Sequence, residues 1–204
     1  AECLSILRDV TRALSYAHAH GVVHRDIKPD NVLLSHGAAE VTDFGIAKAI
    51  DAARVATHGE TLTQLGTSVG TPAYMSPEQA AGDPNLDHRA DIYAVGVLGY
   101  EMLVGHPPFE GSPQAIMAAH ISATPPAIAR RDDVPPSLVR TIMKCLAKDP
   151  AMRHQTANEL LADIEAVATP SGTLRSATPL RPRRVLAGTG VAVVLAALLW
   201  LGTA

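Results

Sequence analysis

Residues 24–31 read HRDIKPDN, a stretch that gathers two acids (Asp26, Asp30), two bases (Arg25, Lys28), a histidine and an amide (Asn31). A folding core does not need this much polar chemistry, because each buried polar group must find a partner and a buried charge still more so. Grouped this closely, a carboxylate can accept a proton and an ammonium can neutralise an anion. A solvated loop, in which Asp and Asn simply favour turns, is the competing reading. Two further strings raise the same question. DFG at 43–45 sets Asp43 17 positions after Asp26, and SPE stands at 76–78.

These residues need elements to hold them. Upstream, Leu4, Leu7, Val10, Leu14 and Ala17 fall on one helical stripe within residues 2–20, and Gly21 follows as a left-handed cap. Downstream, VLL at 32–34 and EVTDF at 40–44, split by SHGAA, predict a small hairpin rather than part of a large sheet. Residues 46–71 show no apolar period, and Thr57, Thr61, Thr63, Thr67 and Ser68 crowd into them, which predicts a long polar loop. Helical signals then return. The stretch from His88 to Val104 is strongly apolar and closes on Gly105 and Pro107, Ser112 with Pro113 opens a helix, and Pro136–Ala147 forms another. Thr156 and Glu159 have capping-box spacing at the head of the last, Thr156–Val167.

Composition agrees with a mainly α body. The chain has 204 residues, 47% hydrophobic but only 3% aromatic, so its core is built from Ala, Leu, Val and Ile, which favours packed helices. A net charge of -3 gives no electrostatic reason to bind nucleic acid. Cys3 and Cys145 are too few and too far apart for a disulfide framework or a zinc site. From Val185 to Ala204 the chain runs 20 residues without a charge. As a helix this would reach about 30 Å, the thickness of a bilayer core. Arg181, Arg183 and Arg184 flank it, which by the positive-inside bias places the preceding residues in the cytoplasm. The expected organisation is a helical body at 1–167, a flexible basic juxtamembrane linker at 168–184 rich in Pro, Ser and Thr, and a single-pass transmembrane helix at 185–204 in the cell membrane.

Taken together and in this order, HRDIKPDN, DFG and SPE resemble the catalytic loop, metal-binding loop and activation-segment end of eukaryotic-like protein kinases. With the membrane span, the chain is similar to bacterial receptor-type serine/threonine kinases. The resemblance covers about residues 1–167 and implies the helical C-terminal lobe of a kinase, with a small β-hairpin at the cleft. It implies transfer of the ATP γ-phosphate to Ser/Thr hydroxyls of protein substrates, with Mg²⁺ as cofactor.

The resemblance also assigns roles. Asp26 would accept the hydroxyl proton, and Lys28 would contact the γ-phosphate as a compact positive charge. Asn31 and Asp43 would hold Mg²⁺ through hard oxygen donors, with Phe44 and Gly45 positioning Asp43. His24 is read as packing the loop rather than carrying a proton. Arg25 would pair with a phosphorylated activation-loop residue, for which Thr63 and Thr67 are the candidates and Thr61 and Ser68 remain open. Thr71, in GTPAYMSPE, would belong to the substrate-holding loop. Ser76 stands where the family usually has Ala, while Pro77 and Glu78 are kept. Glu78 and Arg153, 75 positions apart, would form a buried ion pair, and Asp91 would hydrogen-bond the backbone of the catalytic loop.

No Gly-rich loop, strand lysine of the VAIK type or paired helix glutamate precedes residue 24, so the N-terminal lobe is expected to be missing from this stretch, with truncation of a larger gene product the simplest account. Helix faces that would meet that lobe are then expected to be exposed. Two alternatives stand beside the enzyme: a kinase-like module that binds partners without catalysis, and an inactive fragment. The intact set Asp26, Lys28, Asn31 and Asp43 favours the enzyme. The sequence leaves homodimerisation open.

Overall fold

The computed structural model describes residues 2–44 and 72–168. Contacts divide the chain into Ala1–Pro170 and Ser171–Ala204, and the described residues all belong to the first unit. The expected linker (Ala168 apart) and membrane span lie outside the described residues, as do Gly45, Thr61, Thr63, Thr67, Ser68 and Thr71. Among the described residues no helix is long and apolar enough to cross a membrane.

The described body is mainly α. In chain order it holds α1 (Glu2–Ala19), β1 (Val32–Ser35), β2 (Ala38–Val41), α2 (Pro77–Ala80), α3 (Arg89–Val104), α4 (Pro113–Ser122), α5 (Pro136–Cys145) and α6 (Ala157–Ala168). Short 3₁₀ turns stand at Pro29–Asn31, Pro72–Tyr74 and Pro150–Met152. Helix α3 is apolar all round, and every residue from Ala90 to Tyr100 is buried, so it forms the axis of the bundle. Helices α1 and α5 pack against it, and α6 packs on α1 and α5. The close seam between α3 and α5 depends on small residues. A Cβ on Gly96 would stand 2.6 Å from the Cys145 Cβ, and one on Gly99 would stand 3.0 Å from Ile142.

Helix α1 buries Leu7, Val10, Leu14 and Ala17 on the expected stripe. It ends in a Schellman motif, with Val22 N–H donating to Ala17 O and Gly21 N–H to His18 O, both at 3.0 Å. Gly21 takes φ +72° there without the steric cost a Cβ would add. This cap turns the chain off the helix and into residues 22–28. Ser112 caps α4 with its side chain accepting from Ala115 N–H. At the head of α6 the expected box forms differently. Thr156 Oγ1 accepts from Glu159 N–H at 3.1 Å, while the Glu159 carboxylate takes Gln155 N–H at 2.8 Å.

Two expected boundaries shift. The second strand covers Ala38–Val41 rather than 40–44, because His36 and Gly37, at φ +50° and +83°, close a two-residue hairpin turn that pairs Ser35 directly with Ala38. Thr42–Phe44 thereby leave the ladder. Helix α5 ends at Cys145 instead of Ala147: Ala147 N–H tightens onto Lys144 O at 3.3 Å, and beyond the helix the guanidinium of Arg153 takes the carbonyls of Ala147 (2.8 Å) and Lys148 (3.0 Å).

Arg153 is the clamp at this end of the bundle. Its fork meets Glu78 through two bonds of 2.7 and 2.8 Å, and Nη1 also donates to Arg89 O at 2.9 Å. With the two carbonyls after α5, all five N–H donors are used, and the group lies 4.9 Å from the centre of the Tyr93 ring. Among the exposed large apolar side chains are Tyr16, Val22, Leu33 and Leu34, on α1, the loop that follows it and β1. Because the arginine side chain is fully buried and that of Glu78 nearly so, Glu78→Ala is expected to cost about 3–5 kcal/mol by stranding the guanidinium. Urea unfolding checks this, and a loss below about 1 kcal/mol, the level of surface pairs, would place the contact among the dispensable ones.

Candidate active site

The loop at 22–28 is held mainly by one carboxylate. Asp91, in the first turn of α3 and 1% exposed, accepts His24 N–H at 2.8 Å through Oδ2 and Arg25 N–H at 2.7 Å through Oδ1. His18, near the end of α1, adds its Nε2 to Oδ2 at 2.8 Å. Arg25 stands at φ +69°, a left-handed conformation costing a non-glycine residue about 1–2 kcal/mol, and it persists because both of its backbone groups are tied. Its N–H goes to Asp91, and its C=O accepts from Gln79 Nε2 at 2.7 Å.

His24, next to it, is fully buried. Its Nδ1 accepts the Asp26 N–H at 3.2 Å, which leaves Nε2–H to donate to Thr42 O at 2.8 Å. Both ring nitrogens are committed and the ring packs on Phe44, centroids 4.7 Å apart, so His24 joins the loop to the segment after β2.

The reactive types converge at the open end of the hairpin. The turn Pro29–Asn31 leads into β1, and Val32 pairs with Val41, so one step further Asn31 faces Thr42, whose N–H donates to Asn31 O at 3.0 Å. Asn31 Nδ2 donates to Asp26 O at 2.7 Å and to Asp26 Oδ2 at 3.1 Å. Lys28 Nζ reaches the same Oδ2 at 3.0 Å. Asp26 Oδ1 and Asn31 Oδ1 have no hydrogen-bond partner among the described residues, so each offers a free oxygen. Asp43 follows Thr42, exposed and at φ +58°, left-handed like Arg25. Asp26, Lys28 and Asn31 are thus joined directly, with Asp43 delivered beside them through the Thr42 backbone.

This donor set suits one hard, hydrated cation. Among the described residues no cluster of three or more His, Cys, Asp or Glu could cage a metal, whereas Mg²⁺ takes one or two carboxylate or amide oxygens and completes its shell from phosphate and water. The exposed Arg25 guanidinium makes no hydrogen bond or ion pair with a described residue. Glu78 and Arg153 stand apart from the loop but reach it through α2, since Gln79, next to Glu78, bonds Arg25 O.

Sequence reasoning missed Gln79 and His18. Gln79 was within reach: SPEQ has capping-box spacing, and the Ser76 side chain accepts from Gln79 N–H while Gln79 Oε1 accepts from Ser76 N–H. Ser76, read as a departure from Ala, is therefore the N-cap that aims Gln79 at the loop. Nothing local signals His18, whose partner lies 73 positions away.

A model of the protein kinase domain family matches residues 1–163. The chain belongs to the protein kinase domain family. It is 43% identical over 164 residues to serine/threonine-protein kinase PknB of Mycolicibacterium smegmatis, covering 79% of this chain and 25% of that protein. PknB of Mycobacterium tuberculosis is 41% identical over 167 residues (80% and 26%). The probable serine/threonine-protein kinase SCO3848 of Streptomyces coelicolor is 44% identical over 160 (77% and 23%). The kinase chain spans about a quarter of the length of these relatives.

In the kinase domain, Asp91→Asn turns one acceptor toward backbone amides into a donor. The expected outcome is about 1–3 kcal/mol of lost stability and loss of hydrogen-exchange protection at the His24 and Arg25 amides. Amides that stay protected in the variant would show that the loop is held by something else.

Proposed function

We propose that this chain, in its full gene product, transfers the γ-phosphate of ATP to Ser or Thr hydroxyls of protein substrates. One observation carries the reading. Asp26 has one carboxylate oxygen fastened by Lys28 and Asn31 and the other without a partner among the described residues, on a loop whose backbone is locked by Asp91. A base held in this way can take a hydroxyl proton without first reorganising, and positioning with charge neutralisation is most of what phosphoryl transfer asks of a protein.

Each residue then has its task. Asp26 Oδ1 accepts the proton of the attacking hydroxyl as the bond to phosphorus forms. Lys28, already beside Asp26, places an ammonium where the transferring phosphoryl group passes. Asn31 Oδ1 and the Asp43 carboxylate are the groups that would hold Mg²⁺, which when bound neutralises charge on the phosphate oxygens. The exposed guanidinium of Arg25 is suited to a phosphorylated Thr63 or Thr67, and Thr71 to holding the substrate.

The test is phosphate transfer from Mg-ATP to casein by the full gene product and its Asp26→Asn variant. A fall of about 10²–10⁴ is expected if Asp26 is the proton acceptor. Equal rates would remove it from that role, and no transfer by the wild type would leave the binding-module reading.

We also propose that residues 185–204 anchor the kinase in the cell membrane as a single span with the kinase portion cytoplasmic. The support is the 20-residue uncharged run behind three arginines. Alkaline carbonate extraction of membranes is expected to leave the protein in the pellet, and release into the supernatant would refute the anchor.

A further inference from the structure

A buried polar chain on the side of α3 away from the catalytic loop ends on the segment that follows Thr71. It starts at Lys148, whose Nζ donates to Ala119 O (3.2 Å), His120 O (2.8 Å) and the Tyr93 hydroxyl (3.3 Å). The Tyr93 hydroxyl contacts His120 Nδ1 at 2.9 Å, and His120 Nε2 contacts Ala73 O at 3.0 Å. Tyr93 and His120 are fully buried.

Chemistry gives this chain one direction. An ammonium can only donate, so the Tyr93 oxygen accepts from Lys148; a carbonyl can only accept, so Ala73 O requires the ring proton on Nε2 and leaves Nδ1 of the neutral ring to accept from the Tyr93 hydroxyl. The imidazole is then neutral with its proton on Nε2, where it must donate to the carbonyl of Ala73. Burial and the neighbouring Lys148 charge favour that neutral form, holding the His120 pKa down at about 4. Burial likewise lowers Lys148 to about 8. Phe109 closes the site, its ring edge-on to His120 at 5.0 Å and 4.7 Å from the Lys148 ammonium.

Stability alone does not call for this arrangement, since apolar residues of similar volume serve a core as well or better than buried polar networks. What the chain does achieve is to fix a backbone carbonyl in the turn Pro72–Tyr74. The same turn is held again one residue on, where Tyr74 Oη donates to Glu101 Oε2 of α3 at 2.5 Å.

We propose that His120 is a positioning residue for the protein substrate: through Ala73 O it sets the turn that continues the substrate-holding segment, with Tyr93 and Lys148 fixing its tautomer. The inference rests on the kinase reading and adds α4 to the elements that govern how an acceptor protein is held.

The experiment compares the full gene product with His120→Leu, His120→Gln and Tyr93→Phe, measuring KM for casein and for ATP separately and thermal unfolding for each. Losing one directed hydrogen bond is expected to raise the casein KM about fivefold in His120→Leu and Tyr93→Phe while the ATP KM stays within about twofold. His120→Gln, whose side-chain amide can still donate to Ala73 O, is expected to recover most of the loss. An unchanged casein KM in folded variants, a parallel rise in both KM values, or a Gln variant no better than Leu would overturn the inference. If His120→Leu does not fold, Tyr93→Phe, which removes one hydroxyl and keeps the ring, decides between the outcomes. Wild-type protein that transfers no phosphate sinks the kinase reading and this inference with it, whereas active wild type with an unmoved casein KM sinks the inference alone.

Discussion

The buried carboxylate of Asp91 is the constraint on which the site depends. Almost wholly out of water, it needs partners, and it finds them in the donating amides of two consecutive loop residues and in a histidine ring from another helix. Charge-assisted bonds to backbone N–H groups are strong and short, so the carboxylate dictates the path of residues 24 and 25 more firmly than local propensity could. That is how Arg25 is kept at positive φ, and why Asp26, immediately after it, emerges in one orientation. The buried central helix thus carries, at its first turn, the acid that organises this polar loop.

The hairpin supplies the second coordinate. Its tight turn sets the register, the register places Asn31 opposite Thr42, and the strand end carries Asp43 to the same place as the loop. His24 closes the arrangement by bonding Asp26 N–H on one side and Thr42 O on the other. Arg25 follows this histidine in the chain and Asp43 follows the Thr42 whose carbonyl it bonds, and both are left-handed. Backbone strain of this kind persists only where the surroundings over-determine it. At Arg25 the donors and acceptors responsible can be named one by one.

How much of this was legible in the sequence depended on the range of the interaction. Local signals read well: the α1 stripe shows in the spacing of its own residues, and the Gly21, Gly105 and Ser112 caps rest on bonds within one turn. Polar loop residues of known chemistry also stood out, because nothing in a core explains them. What failed was set by partners distant in sequence. The carbonyls that follow α5 are taken by Arg153, and His18 has meaning only through Asp91, 73 positions away. Ser76 shows a different failure, where comparison with a family habit hid a local capping rule that the tetrapeptide SPEQ already satisfied.

Residue types alone mislead where environment is decisive, as a second constellation in the same body illustrates. Cys145 Sγ lies 3.5 Å from His154 Nδ1, and His154 Nε2 lies 2.9 Å from Asp163 Oδ2, the order of groups in a thiol-nucleophile triad. Yet the sulfur is buried in the seam between α3 and α5, and burial pushes the thiol pKa up to about 12, away from the thiolate that nucleophilic attack needs. Nor can a substrate reach it, since Gly96 has no side chain in order that Cys145 can pack there. The three groups instead join the end of α5 to α6. Asp26 is the opposite case: a partly exposed carboxylate whose Oδ1 has no partner among the described residues, on a loop whose backbone is bonded to Asp91. The contrast between Cys145 and Asp26 lies in which atoms are unpartnered among the described residues and accessible, not in residue type.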